Sequence, residues 1–167
     1  MQIKDKKCIK PLCLMPGDTL GIVAPAGPFD PKKFMKGKAV LESMGFRTFF
    51  DEGIFQQHGF FAGSDVQRAD QVNRLFANPA VRAVVCVRGG YGSMRILPFL
   101  DYKTIQKNPK IFVGFSDISA LLSVLFNRCG LITFHGPVVT TLANTAEQTI
   151  AAMHRAMTSN KKLEILP

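Results

Sequence analysis

Short apolar runs that alternate with helix-length segments constrain the fold of this chain most. Residues 83–87 (AVVCV) and 111–115 (IFVGF) are almost continuously apolar, a pattern typical of strands that helices cover on both faces. Further strand candidates are residues 20–24, 46–50 and 131–134. Strands that alternate with helices pair in parallel. We therefore predict an α/β domain with a mostly parallel sheet and helices on both faces.

Capping residues predict where the helices begin. Asp30 precedes Pro31, and Ser64 precedes Gln67 by three residues, which is the spacing of a capping box. After Ser64, the helical stripe is predicted to be Val66, Ala69, Val72, Leu75 and Phe76. Asp101 begins a short helix, and two further helices are expected over residues 118–128, ended by Gly130, and 146–157.

Length and charge limit the classes of function. A chain of 167 residues is one ordinary domain, and its formal net charge of +9 favours an anionic ligand. The basic residues are scattered apart from two lysine clusters, in which Phe34 is the only aromatic residue; the clusters are Lys4, Lys6, Lys7 and Lys10, and Lys32, Lys33, Lys36 and Lys38. We therefore predict no nucleic-acid partner. No apolar run approaches the roughly 20 residues of a membrane span, so no membrane partner is predicted either.

The cysteine pattern indicates a reducing compartment. Cys8, Cys13, Cys86 and Cys129 form no CxxC pair and no zinc-type cluster with histidine, so we expect neither a metal nor another cofactor. Lys10, Pro11 and Pro16 interrupt the N-terminal segment where a secretory signal would need an apolar stretch. A cytoplasmic location is predicted.

Two loops at the predicted carboxyl ends of strands carry the residues suited to chemistry. Residues 88–93 (RGGYGS), here called the glycine loop, place three glycines directly after a strand. Such a loop either forms a nest of N–H groups for an anion, as in a phosphate- or nucleotide-binding module, or makes a tight structural turn. The segment VGFSDIS resembles a nucleophile elbow, with Ser116 as the nucleophile. Ser116 and Asp117 are equally ordinary helix-capping residues.

A serine nucleophile needs a base, and the histidines do not supply one clearly. His154 lies in a polar stretch of a predicted helix, where we expect it to be exposed, and His58 lies in a polar loop. His135 follows the last predicted strand and is the best placed of the three, although a structural role fits it equally well. No carboxylate is paired with a histidine by spacing.

Taken together, these motifs resemble the LD-carboxypeptidases, the murein tetrapeptide carboxypeptidase family of serine peptidases. The matching segments lie between Pro16 and Pro137, in the family's order, and the most specific pair is RGGYGS followed by GFSDI. The resemblance implies a flavodoxin-like or Rossmann-like N-terminal domain with Ser116 as the nucleophile. It also implies an oxyanion hole from the amides of Gly90 and Asp117.

The resemblance further implies release of the terminal D-alanine from a murein tetrapeptide, in peptidoglycan recycling. An alternative within the family is a carboxypeptidase that confers immunity to peptide-nucleotide antibiotics. The substrate-binding residues expected from the glycine loop are Arg88, Gly89, Tyr91 and Gly92.

In the family, the partner Glu and His come from a second, C-terminal domain. We therefore predict a basic N-terminal segment over residues 1–15, the nucleophile-bearing α/β domain over 16–160, and the start of a linker over 161–167. The chain alone is expected to be inactive. It is also expected to form a homodimer, because the surface that a second domain covers would be exposed.

Overall fold

A five-stranded, fully parallel sheet forms the centre of the protein in the computed structural model, which describes residues 8–161. The strands are β1 (Thr19–Val23), β2 (Arg47–Phe49), β3 (Val81–Cys86), β4 (Ile111–Gly114) and β5 (Phe134–His135). Their spatial order is β2-β1-β3-β4-β5, which is the flavodoxin-like order. The prediction of a parallel α/β fold is confirmed.

Helices cover both faces of the sheet because alternate strand residues point to opposite sides. On one face, Val84 and Cys86 pack with α2 (Asp65–Ala77), α3 (Tyr102–Lys107) and α4 (Ser119–Cys129). On the other face, Ala83 and Val85 pack with α1 (Pro31–Ser43), α5 (Val139–Leu142) and α6 (Glu147–Thr158). Within residues 8–161, three 3₁₀ helices are present, at Glu52–Phe55, Ser93–Phe99 and Ser116–Ile118.

The helix starts follow the predicted caps. The Asp30 carboxylate accepts hydrogen bonds from the Lys32 and Lys33 amides at the start of α1. Ser64 and Gln67 form the reciprocal capping box of α2. Gly130 ends α4 with a φ of 71°. The three predicted helix caps are therefore confirmed. Each cap depends only on residues within one turn of the chain, which is why the sequence predicts it.

Two sequence expectations are corrected, and two elements of the structure were not predicted. Only Phe134 and His135 pair with β4, whereas Leu131 pairs with Ile9. The 3₁₀ helix Ser93–Phe99 and the short helix α5 were not expected. Val66 is 59% exposed, and Arg68 and Gln71 occupy the buried face of α2 instead.

The described part of the N-terminal segment packs against the α/β domain. Leu14 is buried, and its amide donates to the Met157 carbonyl at 2.9 Å. Residues 1–7 of the predicted N-terminal segment and residues 162–167 of the predicted linker, including the apolar stretch 163–166, lie outside the described residues. None of the helices within residues 8–161 has the length and apolar character needed to cross a membrane.

Candidate active site

The loops after β1 and β3 meet at the carboxyl edge of the sheet. In this strand order the chain direction across the sheet reverses between β1 and β3, and α/β proteins bind ligands in the crevice at that point. Residues 25–28 follow β1, and the glycine loop follows β3. The Gly27 amide donates to the Gly89 carbonyl at 3.3 Å. The glycine loop is therefore joined to its neighbour across the crevice.

Ser116 follows β4 on the other side of the glycine loop. Its φ of 60° is the only positive φ of a non-glycine residue within residues 8–161. A left-handed conformation costs a residue with a side chain about 1–2 kcal/mol. Ser116 is exposed and begins the 3₁₀ helix that leads into α4. The strained turn between strand and helix is the local geometry of a nucleophile elbow.

The backbone at Gly89 passes directly against the Ser116 turn. A Cβ atom at Gly89 would lie 2.9 Å from the Phe115 carbonyl oxygen, 3.0 Å from Ser116 Cβ and 3.2 Å from the Asp117 nitrogen. Only glycine permits so close an approach. The glycine loop and the Ser116 turn therefore form one continuous surface.

The amides of Gly90 and Asp117, the expected oxyanion donors, have no hydrogen-bond acceptor among the described residues. Neither the Gly90 N–H nor the Asp117 N–H donates to a backbone carbonyl within residues 8–161. The Asp117 amide lies at the start of the helical segment that runs into α4, where the helix dipole favours negative charge. Gly89, Gly90 and Ser116 line one open cavity of about 590 Å³, a volume typical of small-molecule sites.

Arg88 and Lys33 add positive charge to the same cavity. One guanidinium nitrogen of Arg88 donates to the Pro28 carbonyl at 3.1 Å, and the rest of this exposed side chain faces solvent. Asp30 also lines the cavity, but its carboxylate is engaged as the cap of α1. Two cations at the rim of a cavity attract a carboxylate or phosphate ligand.

Tyr91 and Gly92 have different surroundings. Tyr91 is 67% exposed and lines a neighbouring cavity of about 540 Å³ together with Phe60, Arg88 and Gly90. Gly92 is buried and lines neither of these cavities. Its carbonyl accepts a hydrogen bond from Arg68 at 3.0 Å. The expected substrate contact of Gly92 stays a prediction, and its place in the structure favours a role in shaping the loop.

The histidines do not pair with Ser116. Within residues 8–161, Ser116 Oγ forms no hydrogen bond with a histidine. The ring of His135 instead lies against the Phe115 ring, with 5.0 Å between centroids. His154, which was expected to be exposed, is half-buried, with its ring centroid 5.7 Å from that of Phe46. The described residues thus hold a shaped nucleophile turn with no base hydrogen-bonded to it.

Sequence reasoning missed a charged cluster beneath the glycine loop. The Arg68 side chain is completely buried, forms an ion pair with Asp65 and donates to the carbonyls of Pro25 and Gly92. Arg95, which reaches Asp65 at 2.8 Å, lies on the surface. Hydrogen bonds from Arg95 and then Arg68 hold the pKa of Asp65 below its ordinary value. A signal existed, because Arg68 precedes the buried residues Val72 and Leu75 by four and seven positions.

Comparison with known proteins agrees with this geometry. The sequence model of the family described as LD-carboxypeptidase N-terminal domain matches residues 20–136 of this chain. The chain is 42% identical over 132 residues to a probable murein peptide carboxypeptidase of Bacillus subtilis, covering 79% of this chain and 41% of that protein. It is 36% identical over 126 residues to the microcin C7 self-immunity protein MccF of Escherichia coli, covering 74% of this chain and 37% of that protein.

Solved structures match over nearly the whole chain. An MccF-like protein from Bacillus anthracis superposes with a TM-score of 0.91 and 30% identity, covering 96% of this chain and 50% of that one. A muramoyltetrapeptide carboxypeptidase from Oxalobacter formigenes superposes with a TM-score of 0.77 and 30% identity, covering 84% of this chain and 48% of that one. The chain thus spans about 40% of the length of the curated relatives given above. The chain belongs to the LD-carboxypeptidase family, whose N-terminal domain it matches.

Proposed function

We propose that this domain supplies the nucleophile and the oxyanion hole of a serine carboxypeptidase that releases the terminal D-alanine of a murein tetrapeptide. The observation that carries the proposal is that Ser116, at a φ of 60°, and Gly90 line one cavity, while the N–H groups of Gly90 and Asp117 have no acceptor among the described residues. A strained, exposed hydroxyl beside two N–H groups is the arrangement that acyl transfer requires.

In the proposed reaction, Ser116 Oγ attacks the carbonyl carbon of the bond before the terminal D-alanine. The Gly90 and Asp117 N–H groups bind the negative oxygen of the tetrahedral intermediate. The bond from carbon to nitrogen then breaks, and the proton from Ser116 reaches the leaving amine by way of a base. Water hydrolyses the acyl-enzyme and regenerates Ser116. Loss of one oxyanion donor typically lowers kcat by about 10²–10³.

We assign the base to the His and Glu of a second domain, as the family resemblance implies. Support comes from Ser116 itself, whose Oγ has no histidine partner within residues 8–161. Without a base, the hydroxyl keeps its proton during attack, and most of the rate is lost. The 167-residue chain by itself is therefore proposed to give only the small residual rate that an oxyanion hole supports.

Arg88 and Lys33 are proposed to bind the carboxylate of the terminal D-alanine. Both line the cavity that contains Ser116, and a free carboxylate distinguishes the end of a peptide from its interior. Positive charge near the leaving residue would restrict cleavage to the last bond. Gly89, which lines the Ser116 cavity, and Tyr91, which lines the neighbouring cavity, stay predicted substrate contacts.

A second candidate substrate is an aminoacyl nucleotide. One solved MccF structure is described as a complex with aspartyl sulfamoyl adenosine. In this chain, Tyr91 and Phe60, which is 84% exposed, line the cavity that neighbours the Ser116 cavity. Exposed aromatic rings stack with nucleobases, and each stacked base contributes about 1–3 kcal/mol. This candidate is of the same reaction class, with a different group beyond the scissile bond.

The test compares D-alanine release by the wild type, Ser116→Ala and Ser119→Ala. The assay uses both the 167-residue chain and the polypeptide encoded by the complete reading frame. We expect turnover of the tetrapeptide only in the longer form, lost in Ser116→Ala and kept in Ser119→Ala. Ordinary turnover by the 167-residue chain would place a complete triad within it. Activity that survives Ser116→Ala would refute the nucleophile assignment.

The same polypeptides decide between the two substrates. Hydrolysis of an aminoacyl sulfamoyl adenosine, lost in Tyr91→Ala while tetrapeptide cleavage persists, would favour the immunity function. Tight binding of phosphate or a nucleotide without any Ser116-dependent hydrolysis would favour a non-catalytic binding module instead.

Location and association belong to the same proposal. We propose a cytoplasmic location, because Cys13 and Cys86 form no disulfide, as is usual for cysteines in a reducing compartment. We also propose that the chain forms a homodimer, which sedimentation at increasing concentration tests directly. A strict monomer at high concentration would refute the dimer and leave the role of Ser116 standing.

A further inference from the structure

Arg68 is a buried charged side chain to which the proposed reaction gives no role. Its side chain is completely buried, and its Nε has no partner among the described residues. Burial lowers the pKa of the guanidinium from its ordinary value. A buried cation is unfavourable unless specific contacts compensate it. The contacts of Arg68 therefore call for a reason beyond packing.

The contacts of Arg68 join the two loops of the crevice. One terminal nitrogen donates both to the Pro25 carbonyl after β1 and to the Gly92 carbonyl in the glycine loop. The other terminal nitrogen bonds to Asp65 on the same helix, and helix α2 is in turn held by packing against the sheet. A planar guanidinium with five donors can make these bonds together, whereas a lysine ammonium cannot reproduce the fork.

The ring of Phe61 fixes the guanidinium from above. The Arg68 Cζ atom lies 4.9 Å from the centroid of the Phe61 ring, and that of Arg95 lies 5.1 Å from it. Such contacts favour the charged form and restrict its orientation. Arg68 is thus held by Asp65 in its plane and by Phe61 at its face.

The Gly90 amide lies between two tethers of the glycine loop. On one side, the Gly27 amide bonds to the Gly89 carbonyl. On the other side, Arg68 bonds to the Gly92 carbonyl. Because Arg68 also bonds to Pro25, the loop that carries Gly27 and the loop that carries Gly90 share one anchor.

We infer that Arg68 is a positioning residue that fixes the direction of the Gly90 N–H by anchoring the loops after β1 and β3 to a single guanidinium. The inference rests on the proposed function for the role of that N–H, while the anchoring itself does not depend on it. If the Gly90 N–H can turn away from the oxyanion, the affinity for the transition state falls more than the affinity for the substrate. The reason is that the negative charge develops only in the transition state.

The test uses Arg68→Lys and Arg68→Met, with Arg74→Met as the matched control. Arg74 lies on the same helix, but its ion pair with Asp70 is exposed. Hydrogen–deuterium exchange is measured for the amides of residues 25–28 and 88–93 and for strands β1, β3 and β4. We expect both Arg68 variants to speed loop exchange by about tenfold or more while strand exchange stays within about twofold, as in local opening. Arg74→Met should change neither.

Two results of the exchange experiment overturn the inference. One is unchanged loop exchange in both Arg68 variants. The other is an equal rise in the loops and the strands, which would make Arg68 a residue of general stability. If Arg68→Met does not fold, Arg68→Lys decides the question. If neither variant folds, Arg68 is required for folding itself, and the positioning role is refuted.

A second readout measures D-alanine release by the polypeptide of the complete reading frame. We expect Arg68→Lys to lower kcat by about 10- to 100-fold with KM within about threefold, since misplacing a catalytic group by about 1 Å has effects of that size. A higher KM with unchanged kcat would overturn the inference. If Ser116→Ala keeps full activity, the proposed function fails, and the exchange experiment still decides whether Arg68 anchors the loops.

Discussion

Ser93 and Asp117 are joined by two hydrogen bonds that run between the glycine loop and the Ser116 turn. The Ser93 amide donates to Asp117 Oδ2 at 2.9 Å, and Ser93 Oγ donates to the Asp117 carbonyl at 2.6 Å. The Asp117 carboxylate is therefore occupied as a loop anchor. The Asp117 N–H lies at the start of the helical segment and has no acceptor among the described residues. These bonds fix the loop that carries Gly90 relative to the residue that follows Ser116.

Removing the Ser93 hydroxyl should destabilise the domain measurably. Ser93 is completely buried, and Ser93→Ala leaves the Asp117 carbonyl without this donor. We expect the free energy of unfolding to fall by about 1–2 kcal/mol, the usual cost of an unsatisfied buried group.

Urea unfolding of Ser93→Ala and of Ser43→Ala measures the effect. The Ser43 hydroxyl makes a similar bond to Val40 at an exposed site, so its loss should cost about 0.5 kcal/mol or less. Equal losses would contradict the anchoring role of Ser93.

Local signals made most of the fold predictable from the sequence. Asp30, Ser64 and Gly130 act within one turn of the chain, so their roles follow from the order of residues alone. The elbow at Ser116 was suggested by its motif, because a glycine two residues before a serine after an apolar strand is a local pattern.

Contacts between distant segments were not predictable in this way. The pairing of Ile9 with Leu131 displaces the last strand toward His135, and no local pattern of residues 131–134 shows that Ile9 competes for them. Arg68 was overlooked for a related reason. Its burial is possible only because carbonyls from two other loops and a carboxylate on its own helix surround it.

Gly92 should not tolerate a side chain. Its φ is 105°, and a Cβ atom would lie 2.5 Å from the Phe61 ring. We expect Gly92→Ala to lower the free energy of unfolding by about 2–4 kcal/mol, from backbone strain and overpacking together. Gly45→Ala is the control, because Gly45 has a φ of 91° with no atom within 4 Å of the added Cβ.

Thermal or urea unfolding of the two alanine variants separates strain from crowding. Gly45→Ala should cost only about 1–2 kcal/mol, the backbone part alone. In a Phe61→Leu background, the difference between the two glycine sites should shrink. Identical losses at both sites would show that the Phe61 ring does not restrict Gly92.

Low pH should break the ion pairs of Asp65 with Arg95 and Arg68 and so lower the stability of the domain. The pKa of Asp65 is lower in the folded protein than its ordinary value, chiefly because Arg95 and then Arg68 bond to the carboxylate. Between the folded and unfolded pKa values, the unfolded chain binds more protons. The stabilisation is therefore complete above the unfolded value of about 4 and is lost as the pH falls through the folded value.

The check is the pH profile of unfolding for the wild type, Asp65→Asn and Asp70→Asn. We expect the wild type to lose stability more steeply than Asp65→Asn below about pH 4. Asp70→Asn should follow the wild type, because its partner Arg74 is exposed and such pairs contribute little. Parallel profiles for the wild type and Asp65→Asn would contradict the assigned role of the two arginines.

At the position of the proposed nucleophile, glycine should give a more stable fold than alanine. Ser116 has a φ of 60°, which costs any residue with a Cβ about 1–2 kcal/mol. Glycine avoids that cost but loses more backbone entropy on folding, by about 0.5–1 kcal/mol. We therefore expect Ser116→Gly to be about 0.5–1 kcal/mol more stable than Ser116→Ala by urea unfolding.

Ser119, with a φ of −55° at the start of α4, is the control. There the order should reverse, with the glycine variant less stable than the alanine variant by about 0.5–1 kcal/mol. If Ser116→Gly is no more stable than Ser116→Ala, the turn stores no backbone strain. If Ser116→Gly is the more stable variant and neither variant releases D-alanine, the backbone strain at Ser116 lowers the stability of the fold at the position that the reaction needs.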